Sequence, residues 1–137
     1  MEYMKSKPAS VMIIDDNEID LFVIQRTLEN IHYSDIITAY RSPVKAMEFF
    51  QKIDANKEFD RLPEIILLDI IMPGMTGFEF LDKFSNLSKE IKERTKFIIV
   101  TSSDYTQDKK KSQDYDNVIK YVVKPLSQDD LDTTETS

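Results

Sequence analysis

The sequence predicts an α/β domain built on an open, doubly wound parallel β-sheet. Short apolar runs alternate along the chain with segments in which apolar residues recur at helical spacing, and this alternation is typical of repeated βα units. Polar residues follow four of the apolar runs. They are Asp15 and Asp16, Asp69, Thr101 and Lys124. Because the carboxyl ends of parallel strands share one edge of a sheet, where such folds bind ligands, we expect these side chains to converge.

Length and composition indicate one globular domain. The chain has 137 residues, of which 41% are hydrophobic and 31% charged, so it can bury a core and is not typical of disordered proteins. The net charge of −7 argues against direct nucleic-acid binding, which requires clustered Lys and Arg. No apolar run is long enough to span a membrane, so we expect no membrane insertion. The absence of cysteine and of a secretory signal fits a cytoplasmic protein.

The first half of the chain holds three predicted strands and two helices. Strands are expected at residues 11–14, 35–40 and 65–68, from their apolar and β-branched residues. The first helix starts near Asn17, with Leu21, Ile24, Leu28 and Ile31 on its inward face. Ser42 and Pro43 begin the second helix as cap and first-turn residue. Residues 54–63 are predicted to form a solvated loop.

The second half is less regular. After Gly77, apolar residues recur every three positions, which predicts a third helix. The fourth strand ends at Thr101 and the fifth covers residues 118–123. Residues 104–117 contain few apolar side chains, so any helix there is mostly solvated or mobile, and a final helix is short and poorly anchored. We expect a flexible segment at residues 1–9, one domain at 10–131 and a disordered acidic tail at 132–137.

The converging residues suit phosphoryl chemistry. Neighbouring carboxylates repel each other unless a proton or cation lies between them, and carboxylate oxygens are ligands for Mg²⁺, which often also binds a phosphate oxygen. Lys124 and Thr101 supply an ammonium and a hydroxyl for phosphate oxygens. Asp69 is the candidate nucleophile, since a carboxylate can form a covalent aspartyl phosphate.

Four strand-end motifs occur in order along the chain. They are Ile14-Asp15-Asp16-Asn17, Leu68-Asp69 with Met72-Pro73-Gly74 and Gly77, Val100-Thr101-Ser102, and Tyr121-Val122-Val123-Lys124-Pro125. Together they resemble the receiver domain of two-component response regulators, over roughly residues 10 to 126. The resemblance implies a flavodoxin-like, five-stranded parallel sheet in the order 2-1-3-4-5, with helices on both faces.

The resemblance also implies the roles of the residues. Asp69 would receive phosphate from a phosphohistidine of a sensor histidine kinase or histidine phosphotransfer protein. Asp16 and Asp69 would ligate Mg²⁺ directly, Asp15 mainly through water, and the backbone carbonyl of Ile71 would complete the protein ligands. Lys124 would pair with Asp69 and then with its phosphate. The peptide bond that follows, Lys124-Pro125, is usually cis in family members.

Thr101 and Tyr121 would form the switch pair of such a receiver. Thr101 would move to bond the phosphate and Tyr121 would turn inward, which changes the surface that contacts a downstream protein. Ile71 and Ser103 flank the site by the same resemblance. Because apolar Ile71 cannot orient an attacking water, we predict slow self-dephosphorylation. A receiver of this kind would catalyse only its own phosphorylation and dephosphorylation, without turnover of a separate substrate.

Other interpretations of the same residues exist. Asp15 and Asp16 alone would be ordinary helix caps, and Gly74 and Gly77 more simply serve backbone geometry than phosphate binding. A phosphatase of the haloacid dehalogenase type is disfavoured, because that family requires a second acid two residues after the nucleophile, where this chain has Ile71. A flavin-binding flavodoxin is disfavoured as well, because the acids at 15–18 would repel the phosphate of a flavin. The alternative that stays open is a degenerate receiver that acts as a phosphorylation-independent interaction module.

Overall fold

A five-stranded parallel β-sheet forms the centre of the computed structural model, which describes residues 7–131. The strands are β1 (Val11–Ile14), β2 (Ile37–Tyr40), β3 (Ile65–Leu68), β4 (Lys96–Thr101) and β5 (Val118–Val123). They lie in the order β2-β1-β3-β4-β5, and all neighbouring pairs are parallel. The predicted sheet and its order are confirmed, although β2 begins at residue 37 instead of 35.

Within residues 7–131, five α-helices and one 3₁₀ turn connect the strands, and a second 3₁₀ turn follows β5. The helices are α1 (Glu18–Asn30), α2 (Pro43–Asn56), α3 (Gly77–Phe84), α4 (Lys89–Arg94) and α5 (Thr106–Ser112), and the 3₁₀ turns cover Phe59–Arg61 and Gln128–Leu131. Asn17 caps α1 by accepting a hydrogen bond from the N–H of Asp20, and Ser42 caps α2 in the same way. The predicted beginnings of both helices are therefore confirmed.

The helices cover both faces of the sheet because strand side chains alternate between the faces. On one face the β1 residues Met12 and Ile14 join the cluster that α2 and α3 complete. On the other face Val11 and Ile13 pack with the α1 residues Ile24 and Leu28 and with Leu131. The first face also contains the aromatic group Phe50, Phe80, Phe84 and Phe97. Two apolar layers thus hold the strand ends in place.

The structure corrects three predictions about the connections. The segment 54–63 is not a solvated loop, since α2 continues to Asn56 and the 3₁₀ turn is followed by buried Leu62. Helix α4 was not predicted, because a single buried apolar residue, Ile91, leaves no periodic pattern. The final turn is short, as expected, but it is well anchored, since Leu131 is only 5% exposed.

Two further expectations concern the second half and the termini. Helix α5 is mostly solvated, as predicted, because Ser112 is its single buried residue. Residues 1–6 of the expected N-terminal segment and the expected tail at 132–137 lie outside the described residues. Across residues 7–131, no helix combines the length and the apolar character required to cross a membrane.

Candidate functional site

The strand register brings the predicted polar residues to one edge of the sheet. Ile14 of β1 is aligned with Leu68 of β3, so the residues that follow them, Asp15 and Asp69, are neighbours. Carboxylate oxygens of Asp15, Asp16 and Asp69 all lie within 4.8 Å of one another. At the ends of β4 and β5, the backbone N–H of Lys124 donates to the carbonyl of Thr101 at 2.8 Å. Residues distant in sequence therefore form one cluster.

The ammonium of Lys124 joins three carboxylates. Its Nζ donates to Oδ2 of Asp15 at 2.7 Å, of Asp20 at 2.8 Å and of Asp69 at 2.9 Å. Burial by itself lowers the pKa of Lys124, but the hydrogen bonds to Asp15, Asp20 and Asp69 outweigh that effect and raise the pKa above its ordinary value. Lys124 is consequently a permanent cation in the site at neutral pH.

Asp20 is a member of this cluster that the sequence interpretation missed. It lies in the first turn of α1 and its side chain is 39% exposed. The available signal was its spacing of four residues from Asp16, which places two acids on one face at the start of a helix. Acids in a first helical turn are common for electrostatic reasons alone, so the spacing was not distinctive.

The buried acids are held by backbone donors as well as by Lys124. Oδ1 of Asp15 accepts from the N–H of Asn17 at 2.9 Å, and Oδ1 of Asp69 accepts from the N–H of Ile71 at 2.9 Å. Burial raises the pKa of Asp15, and the hydrogen bonds from Lys124 and Asn17 oppose that rise. Asp15 is 1% exposed and Asp69 5%, whereas Asp16 is half-buried. The site therefore has two buried carboxylates and a third that is more accessible to solvent.

The two glycines shape the loop after Asp69, as predicted. Gly74 has a φ of +83°, which glycine adopts without strain. A Cβ atom on Gly77 would lie 2.5 Å from the carbonyl oxygen of Asp69 and 2.6 Å from Cα of Ile70. Glycine at 77 lets α3 begin directly against the strand end that carries Asp69.

Ser103 connects the two predicted switch residues. Its N–H donates to the hydroxyl of buried Thr101 at 3.4 Å, and its carbonyl accepts from the hydroxyl of Tyr121 at 2.8 Å. The Ser103 hydroxyl also donates to Asp108 of α5. Burial raises the pKa of Tyr121, although its hydrogen bond to Ser103 opposes the rise. Thr101, Tyr121 and α5 are thus linked through a residue that the sequence marked only as flanking the site.

Helix α5 and the residues that follow it are attached to α3 by aromatic and polar contacts. The ring of Tyr115 stacks on Phe78 with centroids 6.0 Å apart, and its hydroxyl donates to Asp82 at 2.7 Å. Lys111 Nζ lies 4.6 Å from the centroid of the same Phe78 ring. Burial and the contact with Asp82 raise the pKa of Tyr115 to about 12. These contacts join the end of α5 and Tyr115 to α3.

The carboxylate cluster fits a hard divalent cation. Three oxygen donors converge from two strand ends, and Mg²⁺ prefers carboxylate oxygens together with water. Lys124 offsets only part of the negative charge of the four acids around it, so a further cation would be stabilised electrostatically. The oxygen ligands and the charge of this cluster therefore fit Mg²⁺.

Comparison with known sequences identifies relatives of the chain. The family profile described as response regulator receiver domain matches residues 11–134. The two-component response regulator ARR3 of Arabidopsis thaliana is 38% identical over 108 residues, which cover 74% of this chain but 43% of that protein. The chain therefore spans less than half the length of this relative.

Solved structures show the same architecture. A two component response regulator from Cytophaga hutchinsonii has a TM-score of 0.81 and 31% identity, with 92% of each chain covered. The receiver domain of the histidine kinase CKI1 from Arabidopsis thaliana, complexed with Mg²⁺, has a TM-score of 0.73 and 21% identity, with 88% of this chain and 86% of that chain covered. The second likeness concerns the fold alone.

Proposed function

Because the chain belongs to the family of response regulator receiver domains, we propose that it accepts a phosphoryl group on Asp69 and signals through the resulting change in its surface. The observation that carries this proposal is the contact between Lys124 and Asp69 inside the carboxylate cluster. A cation beside a buried carboxylate, with two further acids available for Mg²⁺, is the equipment that phosphoryl transfer to an aspartate requires.

Asp69 is the nucleophile in this proposal. A carboxylate oxygen of Asp69 forms a bond to phosphorus while the bond from phosphorus to the donor nitrogen or oxygen breaks, and the bonding electron pair leaves with the donor. With a phosphohistidine as donor, the imidazole is regenerated. Water later attacks the same phosphorus, which releases inorganic phosphate and restores the Asp69 carboxylate.

Lys124 and Thr101 stabilise the transferring group. Lys124 already contacts Asp69 at 2.9 Å, and its raised pKa keeps it charged while it donates to a phosphoryl oxygen. The hydroxyl of Thr101 is fully buried and accepts only a long hydrogen bond from Ser103, so little is lost when it reorients toward a phosphate oxygen. Both groups act on charge that develops during transfer.

Asp15, Asp16 and Asp69 would hold Mg²⁺, and the backbone carbonyl of Ile71 is proposed as a further ligand. When bound, Mg²⁺ neutralises charge on the phosphoryl oxygens. Asp15 contributes from a fully buried position and Asp16 from a half-buried one. The carboxylate oxygens of this chain support this choice of metal.

Thr101 and Tyr121 are proposed as the switch. When the Thr101 hydroxyl turns toward a phosphate, it releases the N–H of Ser103, whose carbonyl holds the hydroxyl of Tyr121. Release of Tyr121 allows it to turn inward, and the link from Ser103 to Asp108 carries the change to α5. The readout is a changed protein surface, biased by phosphorylation.

The partners follow from this chemistry. The donor is a sensor histidine kinase or a histidine phosphotransfer protein, and the recipient of the signal is a second protein. We propose no direct contact with nucleic acid, given the net charge of −7, and no turnover of a separate substrate. We place the protein in the cytoplasm, where the kinase domains of such systems would meet it.

Intact-mass spectrometry after treatment with acetyl phosphate tests the proposal. We expect one phosphoryl adduct in the presence of Mg²⁺, much less with a chelator, and none in Asp69→Asn. Asp60→Asn is the matched control, since Asp60 lies in an exposed 3₁₀ turn away from the strand-end cluster, and it should accept phosphate like the unmodified chain.

The absence of an adduct in folded, Mg²⁺-containing protein would contradict the proposal. That outcome would favour the alternative, a degenerate receiver that acts as a phosphorylation-independent interaction module. An adduct that persists in Asp69→Asn would place the acceptor at another residue and would also contradict it. Circular dichroism of each variant shows whether the fold is retained.

A further inference from the structure

Every proton of the Lys124 ammonium is already engaged within the strand-end cluster. An ammonium has three N–H donors, and Lys124 uses them for Asp15, Asp20 and Asp69 at 2.7, 2.8 and 2.9 Å. To stabilise a phosphoryl group, Lys124 must direct a donor to a new oxygen. One of the three present bonds must therefore weaken during transfer.

The three carboxylates differ in what their release would cost. Asp15 and Asp69 are buried, and until the bond from Asp69 to phosphorus has formed, either carboxylate would be strongly destabilised by the loss of its cation. The side chain of Asp20 is 39% exposed, so water can replace Lys124 as its partner at small cost. Asp20 is the partner that Lys124 can leave most easily.

Asp20 also holds Lys124 from the helix side of the site. Its position is determined by the first turn of α1, where its N–H donates to Asn17. Asp20 lines an open surface cavity together with Lys124 and Pro125, and Val23 and Leu126 also line it. The charge of Asp20 is thus held beside the ammonium by the first turn of α1 and is partly exposed to solvent.

We infer that Asp20 is a positioning residue that holds the Lys124 ammonium at the open side of the site and competes with the incoming phosphoryl group for it. The inference rests on the proposed function of Asp69 as phosphoacceptor. Its consequence is that the negative charge of Asp20 slows phosphorylation. Asp20 touches neither the reacting oxygen nor phosphorus and acts through Lys124.

The variant Asp20→Asn separates charge from position. Asparagine keeps the shape and an acceptor oxygen for Lys124 but removes the charge. At saturating Mg²⁺ and limiting acetyl phosphate, we expect the rate constant of adduct formation to rise about fivefold, the effect of one partly screened charge at this range.

Glu18→Gln is the matched control. Glu18 occupies the same first turn of α1, and its side chain is 77% exposed and 3.9 Å from Arg41. Glu18→Gln removes an identical charge at a residue that does not contact Lys124. The rate constant of adduct formation in this variant should therefore stay within about twofold of that of the unmodified chain. Equal acceleration in both variants would indicate a general charge effect and would overturn the inference.

The dependence of the rate on salt and on the charge of the phosphoryl donor distinguishes this inference from a merely structural role of Asp20. The advantage of Asp20→Asn should shrink at high ionic strength, because salt screens exposed charges. It should also be smaller with phosphoramidate, which carries less negative charge at neutral pH than acetyl phosphate. An advantage that is independent of both would contradict competition for Lys124.

The outcomes for the two proposals are distinguishable. If the unmodified chain forms no adduct, the proposed function fails and this inference fails with it. If it forms the adduct but Asp20→Asn reacts at an equal or lower rate while its urea unfolding curve is unchanged, only the inference is overturned. If Asp20→Asn unfolds more easily, Asp20→Ser at matched folded fraction must still accelerate adduct formation, and failure to do so refutes the inference.

Discussion

Substitution of Gly77 by alanine tests how closely α3 must approach the strand end that carries Asp69. A Cβ atom at this position would lie 2.5 Å from the Asp69 carbonyl oxygen, 2.6 Å from Cα of Ile70 and 2.8 Å from Cγ2 of Ile70. Two of the three atoms belong to the backbone, which cannot rotate away as a side chain can. We therefore expect the helix and the strand end to move apart.

The magnitude follows from two opposing effects. Ordinary contact begins near 3.4 Å, so the separation must grow by about 0.9 Å. Overpacking of this kind costs about 1 to 3 kcal/mol, and a backbone clash belongs to the upper part of that range. Because Gly77 is the first residue of α3, alanine regains at most about 1 kcal/mol, mainly by reducing the entropy of the unfolded chain. The expected net loss in the free energy of unfolding is about 2 kcal/mol.

Urea denaturation and the phosphorylation assay measure the two consequences. The urea midpoint should fall by about 1 M. Because the displaced carbonyl belongs to Asp69, the rate of phosphorylation by acetyl phosphate should also fall, on the order of tenfold or more. Gly74→Ala is the control, since no atom lies within 4 Å of its Cβ position and its strain at φ +83° should cost about 1 kcal/mol with little change in rate.

A Gly77→Ala protein as stable as the unmodified chain would refute this reasoning. It would show that the interface between α3 and the strand end adjusts at no cost, so that the glycine is not required for close approach. A stability loss without any loss of phosphorylation would refute the second part alone.

Two further predictions concern residues near the site. Ile71→Asn should shorten the lifetime of the aspartyl phosphate several-fold, because an amide can orient an attacking water near Asp69; an unchanged decay in radiolabel or mass measurements would contradict this. Tyr115→Phe should lower the free energy of unfolding by about 1 kcal/mol at neutral pH. Because folding raises the pKa of Tyr115 from 10 to about 12, that contribution is complete below pH 10 and is lost between pH 10 and 12. A stability difference between Tyr115→Phe and the unmodified chain that stays constant across this pH range would exclude the raised pKa as its source.

The sheet and the ends of its strands were predictable because their causes are local. Apolar runs such as residues 65–68 bury both faces of a parallel strand, and a polar residue directly after the run marks where burial stops. Asp15, Asp69 and Lys124 could therefore be placed at one edge without coordinates. The motifs around them then indicated the family and, with it, the order of the strands.

The connections were less predictable because distant residues determine them. The segment 54–63 looked solvated from its charges, but Phe59 and Leu62 pack on the cluster formed by α2 and α3. Helix α4 has one buried residue, Ile91, which no periodic pattern reveals. In both cases the free energy of burial comes from surfaces that other elements supply.

The chemistry available at the site was predictable from the sequence, since the residue types at the strand ends define the oxygen ligands and the charges. Which of these side chains contact one another depends on the tertiary structure. Asp20 meets Lys124 across 104 positions of sequence, and Ser103 meets Tyr121 across 18. Electrostatic attraction and hydrogen bonding depend on separation in space at the scale of a few ångströms, and that separation exists only after the sheet has aligned β1, β3, β4 and β5.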